Sequence, residues 1–237
     1  MFFNSDFFLR EAEKMNIPVQ PRQTERFEIY ARMLAEKNKV MNVTAVTDPD
    51  GIAVKHFADS ISILTASDIP QGARVIDVGT GGGFPGVPLL IMRPDINLTL
   101  LDSTAKKIDF ISEVVSSLGL TAEAVSARAE ELAKEPGHRE KYDFCVSRAV
   151  ASLNILSEIC LPFLRTGGLF IAMKGVKAFE ELEAAEGALK ALGAETEKTL
   201  DVKLGDGFER KLIVIRKTGE TDSKFPRQYG QILKRPL

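Results

Sequence analysis

The chain is poor in the residues from which metal and redox centres are built. It has two cysteines, Cys145 and Cys160, two histidines, His56 and His138, and no tryptophan. The cysteines form no C-x-x-C pair and each falls in an apolar segment. Neither a zinc site nor a disulfide framework is indicated, and a reducing cytoplasm is the expected setting. H-E-x-x-H and G-x-S-x-G are missing too, which leaves metal-assisted hydrolysis and serine chemistry without support. No apolar run approaches the roughly 20 residues that span a bilayer. The opening nine residues carry no basic stretch, and Asn4, Ser5 and Asp6 break their apolar run, so no secretion signal is expected. A formal charge of −2 argues against a chain that coats nucleic acid over its whole surface. One local basic patch remains possible, because residues 211–237 hold seven Lys/Arg against two acids.

What is present is an ordinary globular composition, 44% hydrophobic and 27% charged over 237 residues. That length suits one large α/β domain with a small extension. The stretch that organises it runs from Ala73 to Gly86. Val75, Ile76 and Val78 make a short β-branched run, glycines follow at 79, 81 and 83, and Phe84-Pro85-Gly86 opens an apolar helical run. Strand, glycine turn and helix is the arrangement by which open α/β sheets hold a nucleotide-like cofactor. Glycines admit positive φ and let the backbone approach a ligand, and a helix start favours an anion. The spacing is not the dinucleotide G-x-G-x-x-G, since the third glycine comes one position early and Phe84 fills the final slot. Asp77, two residues before the first glycine, would repel a pyrophosphate but could pair with an ammonium group. S-adenosylmethionine fits better, with Asp77 for its amino group and the helix start for its carboxylate.

In chain order, Ser5 is expected to cap a helix over 5–15, and Pro18 and Pro21 to bracket a loop. Thr24 caps a second helix, whose Phe27, Tyr30, Ala31, Leu34 and Ala35 recur at helical spacing. Asp48-Pro49 starts a third, on which Ile52, His56, Asp59 and Ile63 share a face. That stripe reads equally as a polar patch at a cavity or as a His–Asp bond fastening the helix. From Ala73, strands near 73–78, 97–101, 121–126, 142–147 and 168–173 alternate with helical runs. This predicts a parallel sheet covered on both faces. Leu204 to Phe208 is hairpin chemistry, so strands near 195–203 and 209–216 should make one edge antiparallel. The expected organisation is an N-terminal helical extension, 1–66, packed as one unit with an α/β domain, 67–237.

Several residues at the carboxyl edge of this sheet could carry chemistry. Asp102 ends the second strand, where it would grip ribose hydroxyls or cap the next helix. Ala129 and Glu130 follow the third strand, close to an adenine, though the same residues start helices well. Arg148 ends the fourth strand and needs an anionic partner, either a structural carboxylate or a substrate. Lys174 ends the fifth with a weaker form of the same argument. His138 sits in a charged loop and should be exposed.

Taken together, these residues resemble the RsmG (GidB) family of bacterial small-subunit ribosomal RNA methyltransferases. The resemblance runs through Asn38–Thr44, His56–Ser60, Asp77–Pro88, Leu101–Ser103, Ser147–Ser152 and Phe225–Arg227. It implies a Rossmann-like class I S-adenosylmethionine-dependent methyltransferase fold, with a seven-stranded, mostly parallel sheet and an antiparallel edge strand. It also implies methylation of a guanine N7 in 16S rRNA within the small subunit or an assembly intermediate, without a metal. By the family's pattern Gly79 and Phe84 line the cofactor site, Ala129 and Glu130 contact its adenine side, and Arg148 lies by cofactor and substrate. Gly81, Asp77 and Asp102 complete the expected cofactor set, and S-adenosylhomocysteine would be the product. Guanine N7 already offers a lone pair, so His56, Asp59 and Arg148 are expected to position groups and not to shuttle protons. Lys174, Arg227, Lys234 and Arg235 are the candidates for RNA backbone contacts. The chain departs from the family at Lys37, where many relatives carry tryptophan, and in a less basic tail. Competing readings are a nicotinamide-dependent oxidoreductase and a non-catalytic S-adenosylmethionine-binding assembly factor. A monomer is expected.

Overall fold

The computed structural model describes residues 2–148 and 151–237. Ala149 and Val150, part of the Ser147–Ser152 motif, lie outside the described residues. Seven strands form one sheet: β1 (Arg74–Val78), β2 (Asn97–Asp102), β3 (Glu123–Ser126), β4 (Tyr142–Arg148), β5 (Leu164–Lys174), β6 (Ala194–Leu204) and β7 (Phe208–Lys217). Their order is β3-β2-β1-β4-β5-β7-β6. The first five are mutually parallel, and β7 runs antiparallel between β5 and β6. This is the doubly wound sheet with an antiparallel edge that the alternation predicts.

Alternation along β1 divides the core. Val75 joins one apolar cluster and Ile76 the other, because successive side chains leave opposite faces of a strand. Five helices follow the parallel strands: α5 (Gly86–Met92), α6 (Ala105–Ser117), α7 (Ala129–Leu132), α8 (Leu153–Cys160) and α9 (Ala178–Ala191). The second cluster packs α8, α9 and the tail helix α10 (Tyr229–Lys234) under Ile76, Phe170 and Ile213. The first cluster is extended by the N-terminal helices α1 (Ser5–Lys14) and α2 (Pro21–Asn38) and by a helical run over 49–65. Phe8, Phe27, Tyr30 and Phe57 are fully buried there, and Phe27 and Phe57 pack with ring centroids 4.8 Å apart. Each such ring contributes about 2–3 kcal/mol on burial.

The run over 49–65 is not one uniform helix. It consists of α3 (Pro49–Gly51), a π-helical stretch (Ile52–Ala58), α4 (Asp59–Ile61) and a 3₁₀ turn (Ser62–Thr65). Asp48 caps it as predicted, accepting a hydrogen bond from the Gly51 N–H at 2.6 Å. Two other caps differ from expectation. Asn4, not Ser5, caps α1 by accepting from Phe7 N–H. Helix α2 begins at Pro21, not after Thr24, with the Gln23 side chain accepting from the Gln20 N–H at 2.8 Å; proline suits a first helical position because it lacks the unpaired donor. His138 is half-buried, with Nδ1 2.7 Å from the Tyr142 hydroxyl. The short α10 has no counterpart in the sequence expectation.

Candidate active site

A cavity of about 510 Å³ opens at the carboxyl ends of β1, β2 and β4. Strand order reverses between β1 and its two neighbours, which is where open α/β sheets leave a crevice for ligands. Its floor is the turn after β1, Gly79 to Gly82 with Phe84; one wall is Asp102–Thr104 with Ala127–Glu130. Thr44, His56 and Arg148 close the opposite side, and Ile159 and Tyr229 complete the rim. Of the predicted residues, Gly79, Gly81, Phe84, Asp102, Ala129, Glu130, His56 and Arg148 meet in this one cavity.

Glycine is required in this turn for two different reasons. Gly83 has φ of +102°, and a Cβ there would lie 2.5 Å from the Tyr30 hydroxyl oxygen and 2.9 Å from Val87 Cγ2. Gly81 has φ of +59°, yet a Cβ would meet nothing nearer than the Gly79 carbonyl oxygen at 3.9 Å. The space beside Gly81, itself part of the lining, would accept a ligand atom where a side chain would otherwise stand.

Asp77 departs from its expected place. Its carboxylate is fully buried and is not part of the cavity lining; Oδ2 accepts the Gly86 N–H at 2.8 Å. It thus stitches β1 to the start of α5 and does not offer itself to an ammonium group in the cavity. Burial pushes its pKa up to about 7; the nearby Thr80 hydroxyl and the Gly86 amide oppose that rise. The Thr80 geometry falls short of a hydrogen bond, and among the described residues Asp77 Oδ1 and Thr80 Oγ1 have no partner. The start of α5 departs as well. The Gly86 N–H goes to Asp77 and the Val87 N–H to the Gly83 carbonyl, so neither is offered to an anion.

Asp102 stands at the cavity as expected but does not cap α6, whose N-cap is Thr104 without a side-chain hydrogen bond. Its carboxylate accepts the Gly81 N–H at 3.0 Å and the Thr104 N–H at 2.9 Å, yet still lines the cavity. The glycine turn is thereby pinned to the end of β2.

On the opposite side, the residues of the 49–65 run meet Arg148. Asp59 is fully buried and binds two arginines: Arg148 Nη1 at 2.9 Å, and Arg210 through Nε at 2.8 Å and Nη2 at 2.9 Å. Arg148 also donates to the Lys55 carbonyl, and its guanidinium lies 4.9 Å from the Phe84 ring centroid. His56 stacks on the same ring, with centroids 4.4 Å apart. Its Nε2 is 2.6 Å from the Thr44 hydroxyl, and the Asn38 side chain in turn holds the backbone of Val43 and Thr44. Burial, then the Arg148 charge, brings the His56 pKa down to about 4, so the ring is neutral at physiological pH. Asp59 does not line the cavity and acts by holding Arg148. Of the two sequence readings of this stripe, the polar patch at a cavity holds for His56; the direct His–Asp bond does not form, because Arg148 stands between them, bonded to Asp59 and 3.4 Å from His56 Nδ1.

Two of the four proposed RNA contacts are committed inside the protein. Lys174 is 5% exposed; its ammonium pairs with Glu181 at 2.8 Å and donates to the Ala151 carbonyl. Arg227 is half-buried in a two-pronged pair with the buried Glu158 carboxylate. Each head group is engaged by a carboxylate, and Arg227 neutralises one that would otherwise be stranded in the interior. Lys234 and Arg235, at the end of α10, are exposed. Sequence reasoning missed Arg210, Thr44 and Tyr229. Thr44 lay within a quoted motif, whereas Arg210 sits 151 residues from its partner and carried no local signal.

The family model for GidB, rRNA small subunit methyltransferase G, matches residues 23–213. The ribosomal RNA small subunit methyltransferase G of Pelotomaculum thermopropionicum is 48% identical over 228 residues, covering 95% of each chain. That of Clostridium botulinum Loch Maree is 41% identical over 238 residues, covering all of this chain and 99% of its own. Among solved structures, TrmN from Thermus thermophilus superposes with a TM-score of 0.54 at 20% identity, over 67% of this chain and 48% of that one. The mitomycin 7-O-methyltransferase MmcR gives 0.53 at 16% identity, over 68% and 54%. Those two speak for the fold alone, the Rossmann-like fold of class I methyltransferases. With the matched span and the full-length relatives, they lead to one assignment: the chain belongs to the rRNA small subunit methyltransferase G (GidB) family.

Proposed function

We propose that this protein transfers a methyl group from S-adenosylmethionine to N7 of a guanine in 16S rRNA, within the small subunit or an assembly intermediate. The observation that carries the reading is the cavity itself, where bare glycine backbone, Asp102 and the 127–130 segment face the Phe84–His56–Arg148 cluster across one opening. The lining fits the cofactor in kind. The space beside Gly81 receives the group without a Cβ in the way, Asp102 offers oxygens to ribose hydroxyls, and Ala129 with Glu130 flanks the adenine. When bound, the cofactor supplies an electrophilic methyl group.

The residues of this chain then have a modest chemical task. Guanine N7 carries an in-plane lone pair, so no proton is removed before attack and no general base is needed. What is needed is orientation of the base and a wall that does not oppose positive charge building on it. His56 is neutral and adds none. Arg148 is held back by Asp59 and the Lys55 carbonyl, which fix its guanidinium against Phe84. We place Lys234 and Arg235 on the RNA backbone and read the protein as a cytoplasmic monomer that needs no metal. Residues 1–66 and 67–237 act as one unit, since the site draws on both.

The deciding experiment is mass spectrometry of small-subunit rRNA from cells with and without the protein. A 7-methylguanine that disappears with the protein and returns with it is the expected result. An unchanged modification pattern, with cofactor and RNA still bound by the purified protein, would select a non-catalytic assembly factor instead.

A further inference from the structure

The tail beyond β7 is fastened to the body on both sides of one aromatic residue. Upstream, Phe225 is buried, Arg139 donates to the Phe225 and Thr221 carbonyls, and Arg227 pairs with Glu158 through both its N–H and its guanidinium. Downstream, Ile232 is fully buried in the cluster beneath α8. Between these anchors stands Tyr229, half-buried, which lines the cavity beside Ile159 and the 127–130 segment. Its neighbours do the fastening, and its hydroxyl makes no hydrogen bond with the other described residues. An aromatic ring held by anchored backbone in the same lining as the small Ala127 and Ala129 offers a flat face already in place.

We propose that Tyr229 forms an aromatic wall for the purine of the bound cofactor and sets the affinity for its adenosine half. The inference rests on the cofactor reading above and adds to it a residue outside the glycine turn and the β2 and β3 ends. A phenylalanine would present the same face, so the hydroxyl is dispensable and the ring is not. Removal of a base-stacking aromatic commonly weakens binding by about tenfold.

The composition provides a direct probe. The chain has no tryptophan, and of its three tyrosines Tyr30 and Tyr142 are 0% and 1% exposed. Tyr229 is the tyrosine that lines the cavity, whereas Tyr30 touches it only through Gly82 and Phe84. Full-length wild type, Tyr229→Phe and Tyr229→Ala are titrated with S-adenosylhomocysteine and with adenosine, by calorimetry and by tyrosine emission. Wild-type emission should change on binding and Tyr229→Phe should lose that change while keeping its affinity within about twofold. Tyr229→Ala should bind both ligands about tenfold more weakly. Wild-type affinity in Tyr229→Ala, or an emission change undiminished in Tyr229→Phe, overturns the proposal. The Phe arm still decides if the Ala variant is poorly folded. If the wild type binds neither ligand, the cofactor reading itself fails and this inference with it.

Discussion

Asp59 shows how much of the site depends on a single buried charge. Its two oxygens hold two guanidiniums from different strands, one of which stands at the cavity. Asp59→Ala would leave both without their carboxylate, and stability in a urea titration should fall by about 3–5 kcal/mol. Unchanged stability would mean that Arg148 is held by the Lys55 carbonyl and Phe84 alone. His56 and Asp77 make opposing contributions to pH dependence. His56 has a depressed folded pKa, about 4 against an ordinary 6.5, so its contribution is present above 6.5 and lost as pH falls toward 4. Asp77 has a raised one, about 7 against 3.8, so its contribution is present below 3.8 and lost as pH rises toward 7. In the window between, the two slopes largely cancel. His56→Gln should expose the Asp77 slope, and the variant's stability should then fall as pH rises from about 4 to about 7 relative to wild type. A flat difference between the two proteins across that window would refute the assignment.

At the scale of elements, the turn from β1 to α5 makes the sharpest predictions, because its glycines face different surroundings. Gly86→Ala would place a Cβ 2.4 Å from Leu100 Cδ2 and 2.7 Å from Asp77 Oδ2. It should lower thermal stability by an overpacking cost of about 1–3 kcal/mol. Gly81→Ala meets open space, so its stability loss should be no more than the left-handed backbone cost of about 1–2 kcal/mol. Its methyl enters the cavity, however, and calorimetry with S-adenosylhomocysteine should show weakened binding. Equal affinities for Gly81→Ala and wild type would place the ligand elsewhere. Elements of this kind were legible in the sequence. The apolar runs of β1, β2, β4 and β5, the hairpin chemistry at Leu204–Phe208 and the Asp48 cap are local signals, and each predicts what forms. The burial of Lys174 and Arg227 was not legible. A lysine at a strand end reads as exposed unless its carboxylate is known, and Glu181 and Glu158 are supplied by helices whose placement is a tertiary fact. The π-helical stretch over Ile52–Ala58 was also hidden, since its composition is that of any apolar helix.

For the whole molecule, the relevant feature is that the N-terminal helices are part of the site's framework. Phe57 and Tyr30 pack on Phe84, Tyr30 donates to the Gly82 carbonyl, and Glu11 accepts the Gly205 N–H at the tip of the β6–β7 hairpin. A chain shortened to 67–237 should lack a cooperative thermal transition by circular dichroism, because the first apolar cluster loses five of its eight buried rings. A sharp melt of that fragment would show the α/β part to be autonomous. The composition placed the extension ahead of the sheet, but nothing local told where it docks, because its hydrogen-bonding partners lie 52 to 194 residues downstream. That distance has a consequence for biosynthesis. Glu11 and Asp59 leave the ribosome long before the amide of Gly205 and the guanidinium of Arg210 are made. Early helices must therefore wait, with a carboxylate still in water, until the final hairpin emerges to lock them, and translation halted before Arg210 would yield no half-working enzyme.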